Sequence, residues 1–199
     1  MIIAEKAIRY ACFVTLIGAL SAHAQSLSGL QIGDPLSTVA KIGLEPASIN
    51  RTGQFTMVRW EFPDGNELSI TSVNNRIIYM ESDWGRRQAG SFTDFPGIIY
   101  GRTTLDELRR LFGSNGFCYT DRGCSFLLDG GSLYFNSYEF TGDNDTVITF
   151  ITRDINFKFP PKSGDAVVDA IIVGYPPYLD GIWGSSKVFD PEYKPIDLQ

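Results

Sequence analysis

Two segments of the chain share one pattern of apolar and polar positions. Apolar residues lie three positions apart in both segments: Leu36, Val39 and Ile42 in the first, and Leu105, Leu108 and Leu111 in the second. This spacing predicts one apolar face of a short helix. A glycine precedes each helix and another follows it. In the second helix, Thr103 or Thr104 is a suitable N-cap, and Gly113 can take the left-handed conformation that ends a helix.

Strand-like alternation follows each predicted helix, and the turn sequences set the expected register. We expect a three-residue loop at 64–66 and a two-residue loop at 130–131, both common hairpin lengths. The expected cross-strand partners are Phe62 with Leu68 and Trp60 with Ile70 in the first hairpin, and Leu128 with Leu133 and Phe126 with Phe135 in the second. In each hairpin these apolar residues share one face, which we expect the helix to cover.

These elements predict an α+β fold made of two tandem units. Each unit is a short helical element packed on an antiparallel sheet of three to four strands, the first in residues 25–84 and the second in residues 97–159. Residues 85–96 form a linker, and residues 160–199 form a C-terminal extension. Within the extension, residues 164–174 repeat the glycine spacing of the first helix, but no strands follow them, so we assign them to the extension rather than to a third unit.

The first 24 residues have the three parts of a secretory signal peptide. Lys6 and Arg9 give a positive head, and residues 11–20 form an apolar run that is too short for a membrane span. Ala22 and Ala24 stand where a signal peptidase would cut. We expect a mature protein that is periplasmic or secreted and has no membrane anchor.

The charge and the amino-acid composition of the mature chain argue against several classes of function. Removal of residues 1–24 changes the formal net charge from −6 to −7, which opposes binding to nucleic acid and to anionic membrane surfaces. The single histidine, His23, leaves with the signal peptide. The mature chain therefore has no Ser-His-Asp or Cys-His catalytic group and no imidazole ligand for zinc. We expect a protein that is not an enzyme and that carries no cofactor and no metal.

Carboxylates are the main groups that remain for catalysis. The pairs Glu61 with Glu67 and Glu81 with Asp83 leave a carboxylate-based hydrolase as an alternative. Acidic side chains on an acidic chain are more often solvated surface. The segment 143–145 has the residue types of a hairpin turn and lacks the glycine and the distant glutamate of a calcium loop.

Cys118 and Cys124 are the two cysteines of the mature chain. Exported proteins meet an oxidising environment, which favours a bond between them. A tight turn around Asp121 would set the two cysteines opposite each other on paired strands. The sequence therefore predicts a cross-strand disulfide and no free thiol.

The face of the predicted sheets that the helices leave open is the expected binding surface. It carries Met57 and Arg59 in the first unit and Tyr134, Asn136 and Tyr138 in the second. Tyrosine offers a large contact area and has few rotatable side-chain bonds to immobilise on binding. Aromatic residues and arginine are typical anchors of protein interfaces. The alternative is that the tyrosines pack beneath the C-terminal extension.

Both segments consist of a glycine, a helix led by Thr or Pro, a second glycine and a strand meander, and this tandem order resembles two exported families. One is the secreted beta-lactamase inhibitory protein, built from two helix-plus-sheet repeats. The other is the small outer-membrane lipoproteins of the barrel-assembly machinery, which carry one such unit. The resemblance covers residues 29–155 and implies a curved sheet whose helix-free face grips a partner protein. In the inhibitory protein each repeat has a disulfide, whereas here only the second repeat has cysteines.

The sequence and this resemblance together predict an exported, non-enzymatic protein-binding protein. It would be an inhibitor or an accessory factor of the cell envelope, and its partner would be an exported or envelope protein of unknown identity. A carbohydrate- or peptidoglycan-binding module is the alternative, followed by the carboxylate-based hydrolase.

Overall fold

The computed structural model describes residues 26–87, 90–91, 93–128, 131–154 and 163–197. The predicted signal peptide lies outside these ranges. None of the helices in the described ranges combines the length and the apolar character that a membrane crossing needs.

One antiparallel sheet of ten strands forms the centre of the described chain. The strands are β1 Ser48–Thr52, β2 Phe55–Glu61, β3 Glu67–Val73, β4 Arg76–Asp83, β5 Phe117–Tyr119, β6 Ser125–Leu128, β7 Gly131–Phe140, β8 Asp143–Asp154, β9 Val167–Gly174 and β10 Lys187–Phe189. Their order across the sheet is β1-β2-β3-β4-β9-β8-β7-β5-β10, and β6 also pairs with β7. The helices are α1 Leu105–Phe112, α2 Pro176–Trp183 and the 3₁₀ helices Leu36–Ile42 and Ser163–Asp165.

The predicted fold of two separate helix-on-sheet units is wrong, because a single sheet runs through both repeats. Strand β9 comes from the segment that we predicted to be a C-terminal extension, and it lies between the two halves. Val173 of β9 pairs with Met80 of β4 on one side and with Ile148 of β8 on the other. The extension therefore supplies the strand that joins the repeats.

The helix-like glycine spacing of residues 164–174 does not mark a helix, since most of this segment is β9. Val168, Ile171 and Val173 pack into the core on one face of the sheet, and Ala170 and Ile172 pack into the core on the other face. A strand that is buried on both faces is a continuous apolar run without alternation. Apolar spacing alone cannot distinguish such a strand from a buried helix.

The local signals for the other two helices are confirmed. Thr104 caps α1: its hydroxyl accepts from the Glu107 N–H at 3.2 Å, and the Glu107 carboxylate accepts from the Thr104 N–H at 2.8 Å. Gly113 ends α1 with φ 75°. The first helical segment is a 3₁₀ helix that ends at Gly43 with φ 71°.

Both predicted hairpin registers are wrong by two residues. The observed partners are Trp60 with Leu68, Val58 with Ile70, Phe126 with Leu133, and Leu128 with Gly131. In the first hairpin the Phe62 N–H donates to the Asn66 carbonyl at 2.8 Å, so the three-residue loop is 63–65 and ends at Gly65 with φ 88°. Because the error is an even number of residues, each apolar set stays on one face.

The sheet has a core on each face. The α1 core includes Trp60, Leu108, Tyr138 and Phe150, all at most 1% exposed. In this core the Phe112 ring of α1 lies 4.8 Å from the Tyr138 ring and 5.3 Å from the Phe150 ring, measured between centroids.

The α2 core, on the opposite face, includes Phe135, Ile172, Leu179 and Trp183. The sequence predicted that the helix now labelled α1 covers Phe126 and Phe135 and leaves Tyr138 open. This face assignment is wrong, because α1 packs on the side of Tyr138. Strand β7 is covered by α1 on one side and by α2 on the other, so its alternation could not show which face α1 takes.

The structure joins Cys118 and Cys124 by the predicted disulfide. The two cysteines do not face each other across a hairpin, however, because β5 and β6 each pair with β7. Phe117 of β5 pairs with Ser137, and Ser125 of β6 pairs with Tyr134. The disulfide therefore closes the short loop that connects β5 to β6, two strands that both pair with β7.

Removing this disulfide should weaken the fold without abolishing it. A Cys118→Ala/Cys124→Ala variant is expected to lose about 2 kcal/mol of unfolding free energy, because the closed loop is small and the chain entropy released on unfolding is correspondingly limited. Urea unfolding of the variant and the parent checks this value. Mass measurement of the purified parent should find no free thiol, and two free thiols would contradict the pairing.

Candidate binding pocket

A cavity of about 280 Å³ lies between α1, β7 and β10, and two of the predicted binding residues line it. Tyr134 and Asn136 lie two residues apart on β7 and form one wall. Leu105 and Arg109 of α1 lie on another side, and Val188 of β10 closes a third. The cavity therefore forms where three elements that are distant in sequence meet.

Two asparagine residues that line this pocket have side-chain oxygen atoms without a hydrogen-bond partner among the described residues. The Asn136 amide Nδ2 donates to the Asn115 carbonyl at 2.8 Å, and the Asn115 Nδ2 donates to the Asp190 carboxylate. These two bonds fix which end of each amide is oxygen. The Oδ1 atoms of both asparagines are buried and have no hydrogen-bond partner within the described ranges. Asn136 itself is only 8% exposed.

Arg109, which also lines the pocket, carries an unpaired donor atom. Its Nη1 is bonded to the Asp106 carboxylate at 2.9 Å, which holds the guanidinium against α1. Its Nε is buried and makes no hydrogen bond to any part of the chain that is described. A buried donor or acceptor without a partner costs about 1–3 kcal/mol. Three of the residues that line the pocket thus each carry one unpaired polar atom that is buried away from solvent.

Asp190 is the carboxylate among the described residues that line the pocket. Its pKa is held below the usual value because the Glu192 N–H donates to one oxygen at 2.8 Å and the Asn115 amide donates to the other. Asp190 is therefore a charged acceptor at neutral pH. Its own N–H donates to the Gly116 carbonyl at 2.9 Å and ties the end of β10 to the segment before β5.

The rest of the pocket is mainly apolar. Leu105 and Phe117 are at most 2% exposed, whereas Val188 and Phe189 are 53% and 46% exposed at the mouth. The disulfide also contributes to the wall. Leu127, two residues beyond the pocket residue Ser125 on β6, is 75% exposed and is not among the lining residues.

The other three predicted binding residues do not join this pocket. Tyr138 is fully buried in the α1 core, where its hydroxyl donates to the Ser114 carbonyl at 3.0 Å. It cannot contact a partner, and its prediction as an exposed binding residue is wrong. Met57 is 50% exposed on β2, and Arg59 lies beside it between Glu61 and Glu67. Strand β2 is five strand positions from β7, about 24 Å at the usual strand spacing.

The predicted acid pairs lie on the half of the sheet that contains β2, β3 and β4. Arg59 bridges Glu61 and Glu67, with Nη2 3.5 Å and 2.6 Å from their carboxylates. On β4 the Tyr79 hydroxyl donates to Glu81 at 2.7 Å. Burial, reinforced by the nearby carboxylates of Glu81, Glu67 and Asp169, raises the pKa of Asp83 to about 7. Within the described ranges, no group of His, Cys, Asp and Glu side chains is placed to hold a metal ion.

Neutralising Asp83 should stabilise the protein in a pH-dependent way. The pKa of Asp83 in the folded protein is about 7, above the ordinary value of 3.8. Between pH 3.8 and pH 7 folding therefore takes up a proton, and the stability of the parent falls as the pH rises through this window. The full shift corresponds to about 4 kcal/mol. Partial exposure reduces the expected gain of Asp83→Asn to about 1–2 kcal/mol at pH 8, with no gain at pH 4.

Urea unfolding at the two pH values measures this gain. Glu61→Gln on exposed β2 is the control, and we expect it to change the unfolding free energy by less than about 0.5 kcal/mol at either pH. An equal gain for Asp83→Asn at pH 4 and pH 8 would contradict the protonation argument.

Comparison with known proteins gives no family. No protein-family model and no curated protein matches the sequence. Among solved structures, a cysteine-rich secretory protein from Staphylococcus aureus aligns with TM-score 0.47 and 9% identity over 85% of this chain and 56% of that protein. An extracellular protein containing an SCP domain from Bacillus anthracis aligns with TM-score 0.47 and 10% identity over 98% of this chain and 57% of that protein. The chain spans little more than half the length of either, and at this TM-score the likeness does not identify a common fold.

Proposed function

We propose that this chain is an exported, non-catalytic protein that binds a protein partner through the pocket between α1, β7 and β10. The observation that carries the proposal is a cavity of about 280 Å³ with a mainly apolar lining that also includes Tyr134, Asn136 and Asp190. A few precisely placed polar groups in an apolar concave site are typical of binding sites. An inhibitor and an envelope accessory factor are the two roles we consider.

The chemistry of the lining favours binding over catalysis. Among its described residues there is one carboxylate, Asp190, and its lowered pKa makes it a charged acceptor rather than a proton donor at neutral pH. A hydrolase of the carboxylate type needs a second carboxyl across the cleft. The acid pairs on β2, β3 and β4 lie on another part of the sheet.

The rim favours a protein partner. Val188 and Phe189, which line the pocket, are 53% and 46% exposed, so apolar surface is open beside the cavity. Protein interfaces commonly have an anchor that fills a pocket and neighbours that exclude water from it. The carbohydrate-binding alternative depends on Tyr134 and on the Asp190 carboxylate, which can accept hydrogen bonds from sugar hydroxyls.

Affinity capture with matched variants tests this proposal. The baits are residues 25–199 of the parent, a Val188→Arg variant that obstructs the mouth of the pocket, and an Ile49→Arg variant on β1. Val188 and Ile49 are 53% and 51% exposed, so both changes should leave folding intact. A partner protein from the native envelope should be held by the parent and by Ile49→Arg, and lost with Val188→Arg.

Equal capture by all three baits would remove the partner site from this pocket. Loss with both arginine variants would attribute binding to charge or to folding rather than to the pocket. Capture of glycan fragments without protein would favour the carbohydrate-binding module.

A further inference from the structure

The backbone of β6 has hydrogen-bonding groups that point away from the sheet. Among the described strands, β6 pairs only with β7. The Phe135 N–H donates to the Cys124 carbonyl at 3.0 Å, so these two residues form a hydrogen-bonded pair. Such pairs alternate along an antiparallel ladder, and the N–H and C=O groups of Ser125 and Leu127 therefore point away from β7. This edge of β6 offers both donors and acceptors in an extended arrangement.

The side chains of β6 do not protect this edge. Natural edge strands usually carry charged residues or proline, or another element covers them. Strand β6 is Ser-Phe-Leu-Leu, and Phe126 and Leu127 are 46% and 75% exposed. Strand β1, at the far edge of the sheet, contains the charged Arg51. An apolar and unprotected edge is the acceptor that strand addition by another chain requires.

The edge of β6 leads into the proposed binding pocket. Cys124 and Ser125 line the cavity between α1, β7 and β10. Ser125 pairs with Tyr134, which also lines the cavity, so their side chains share one face of the sheet. Leu127 points to the same face and Phe126 to the opposite one, because side chains alternate along a strand. A strand added beside β6 would alternate in the same way and present every second side chain next to the cavity.

Arg122 gives the other face of β6 a positive charge. Its guanidinium carbon lies 5.3 Å from the centre of the Phe126 ring and 4.3 Å from the centre of the Phe135 ring. The ion pairs formed among the described residues do not include Arg122. An added strand places one side chain opposite Phe126, close to this guanidinium. A carboxylate at that position can pair with Arg122, whereas an ammonium group would be repelled.

We infer that β6 accepts an extended segment of the partner protein as an additional strand, with an acidic side chain opposite Phe126 and an apolar side chain on either side of it. This inference rests on the proposed function, because it makes the cavity the place where one of the apolar side chains enters. The segment pairs with the backbone of Ser125 and Leu127, and its carboxylate pairs with Arg122. A second copy of this chain fits less well, since pairing of two β6 strands about a twofold axis brings two Arg122 side chains together.

Short peptides test the inference on the isotope-labelled mature protein. The probes are pentapeptides Thr-Val-X-Val-Thr with acetyl and N-methylamide ends, in which X is Glu, Gln or Lys. In NMR titrations the Glu peptide should shift the amide signals of β6 and slow hydrogen exchange at Ser125 and Leu127, because these N–H groups gain acceptors. It should bind about fivefold more tightly than the Lys peptide. Methylation of both valine nitrogens keeps the side chains and should weaken binding about tenfold or more.

Three variants locate the charge effect. Arg122→Gln should remove the preference for Glu over Lys, and Arg122→Lys should restore it. Arg51→Gln changes an exposed arginine on the opposite edge of the sheet and should leave the preference unchanged. Thermal unfolding confirms that each variant is folded.

The outcomes separate this inference from the proposed function. Absence of β6 shifts with millimolar Glu peptide overturns the inference, and so does a Glu preference that survives in Arg122→Gln. Shifts of the β6 signals that depend on protein concentration without peptide assign the edge to a second copy and also overturn it. If partner capture is lost with Val188→Arg but the peptides do not bind β6, the proposed function stands and only this inference fails. If the Glu peptide binds β6 but Val188→Arg still captures the partner, the proposed site is wrong and the inference falls with it.

Discussion

A chain shortened to residues 25–159 will not fold. It contains both repeats but lacks β9, whose Val168, Ile171, Ile172 and Val173 are at most 1% exposed. At about 1.5–3 kcal/mol for each fully buried aliphatic side chain, these four residues alone contribute on the order of 10 kcal/mol. That is comparable with the whole stability of a typical domain, about 5–15 kcal/mol. The truncation also leaves β4 and β8 with unpaired edges in the middle of the sheet.

Circular dichroism with urea unfolding checks this expectation, and the shortened chain should show no cooperative transition. The control is a chain ending at residue 183, which keeps β9 and α2 and removes β10 with the segment that follows it. This control should unfold cooperatively, at a lower urea concentration than the parent because Ile196, 5% exposed, is lost from the α1 core. A cooperative transition in residues 25–159 would show that the repeats fold without β9.

The sequence was most informative where one residue type fixes a local conformation. Thr104 and Gly113 were predicted as the ends of α1, because a hydroxyl can accept from a free N–H and glycine adopts positive φ without strain. The apolar residues of each hairpin were correctly grouped on one face, although the registers were displaced by two residues and the helix covers the other face of the second hairpin. Turn residues bias where a chain reverses, whereas the exact pairing also depends on cross-strand neighbours.

Long-range pairing was the part that the sequence did not reveal. Strand β9 lies between β4 and β8 although about 90 residues separate it from the start of β4, and its apolar run carries no alternation that would identify a strand. Strand β7 presents the opposite problem for sequence-based prediction. Its side chains point alternately to the two faces of the sheet, but both faces are covered. Tyr138 and Phe135 are therefore both buried, and neither face of β7 could be recognised as open.

The sequence predicted only part of the candidate pocket, because its lining residues come together through long-range pairing. Tyr134 and Asn136 were chosen from one strand, and they do line the cavity. Neither Arg109 nor Asn115 was among the residues predicted from the sequence. Asp190 is 75 residues from Asn115 and comes to it only through the pairing of β10 with β5.

Asp169→Ala should be one of the most destabilising single substitutions in the protein. Asp169 is the extra residue of the bulge where the register of β8 and β9 shifts. Its carboxylate accepts from the Nε of Arg153 at 2.7 Å and from the Nη2 of Arg86 at 2.9 Å. The side chains of Asp169 and Arg153 are only 8% and 17% exposed. Removal of Asp169 leaves the Arg153 charge buried and unpaired, which we expect to cost about 3 kcal/mol.

Two further variants distinguish an unpaired charge from simple loss of contact. Arg86 is 51% exposed, so Arg86→Ala should cost less than about 1 kcal/mol. In Asp169→Ala/Arg153→Met the unpaired guanidinium of Arg153 is absent, and the methionine keeps most of the apolar part of the arginine side chain. The double variant should therefore recover most of the stability. Urea unfolding of the four proteins measures these differences. If the double variant is less stable than Asp169→Ala alone, the cost lies in the bulge geometry rather than in the unpaired arginine.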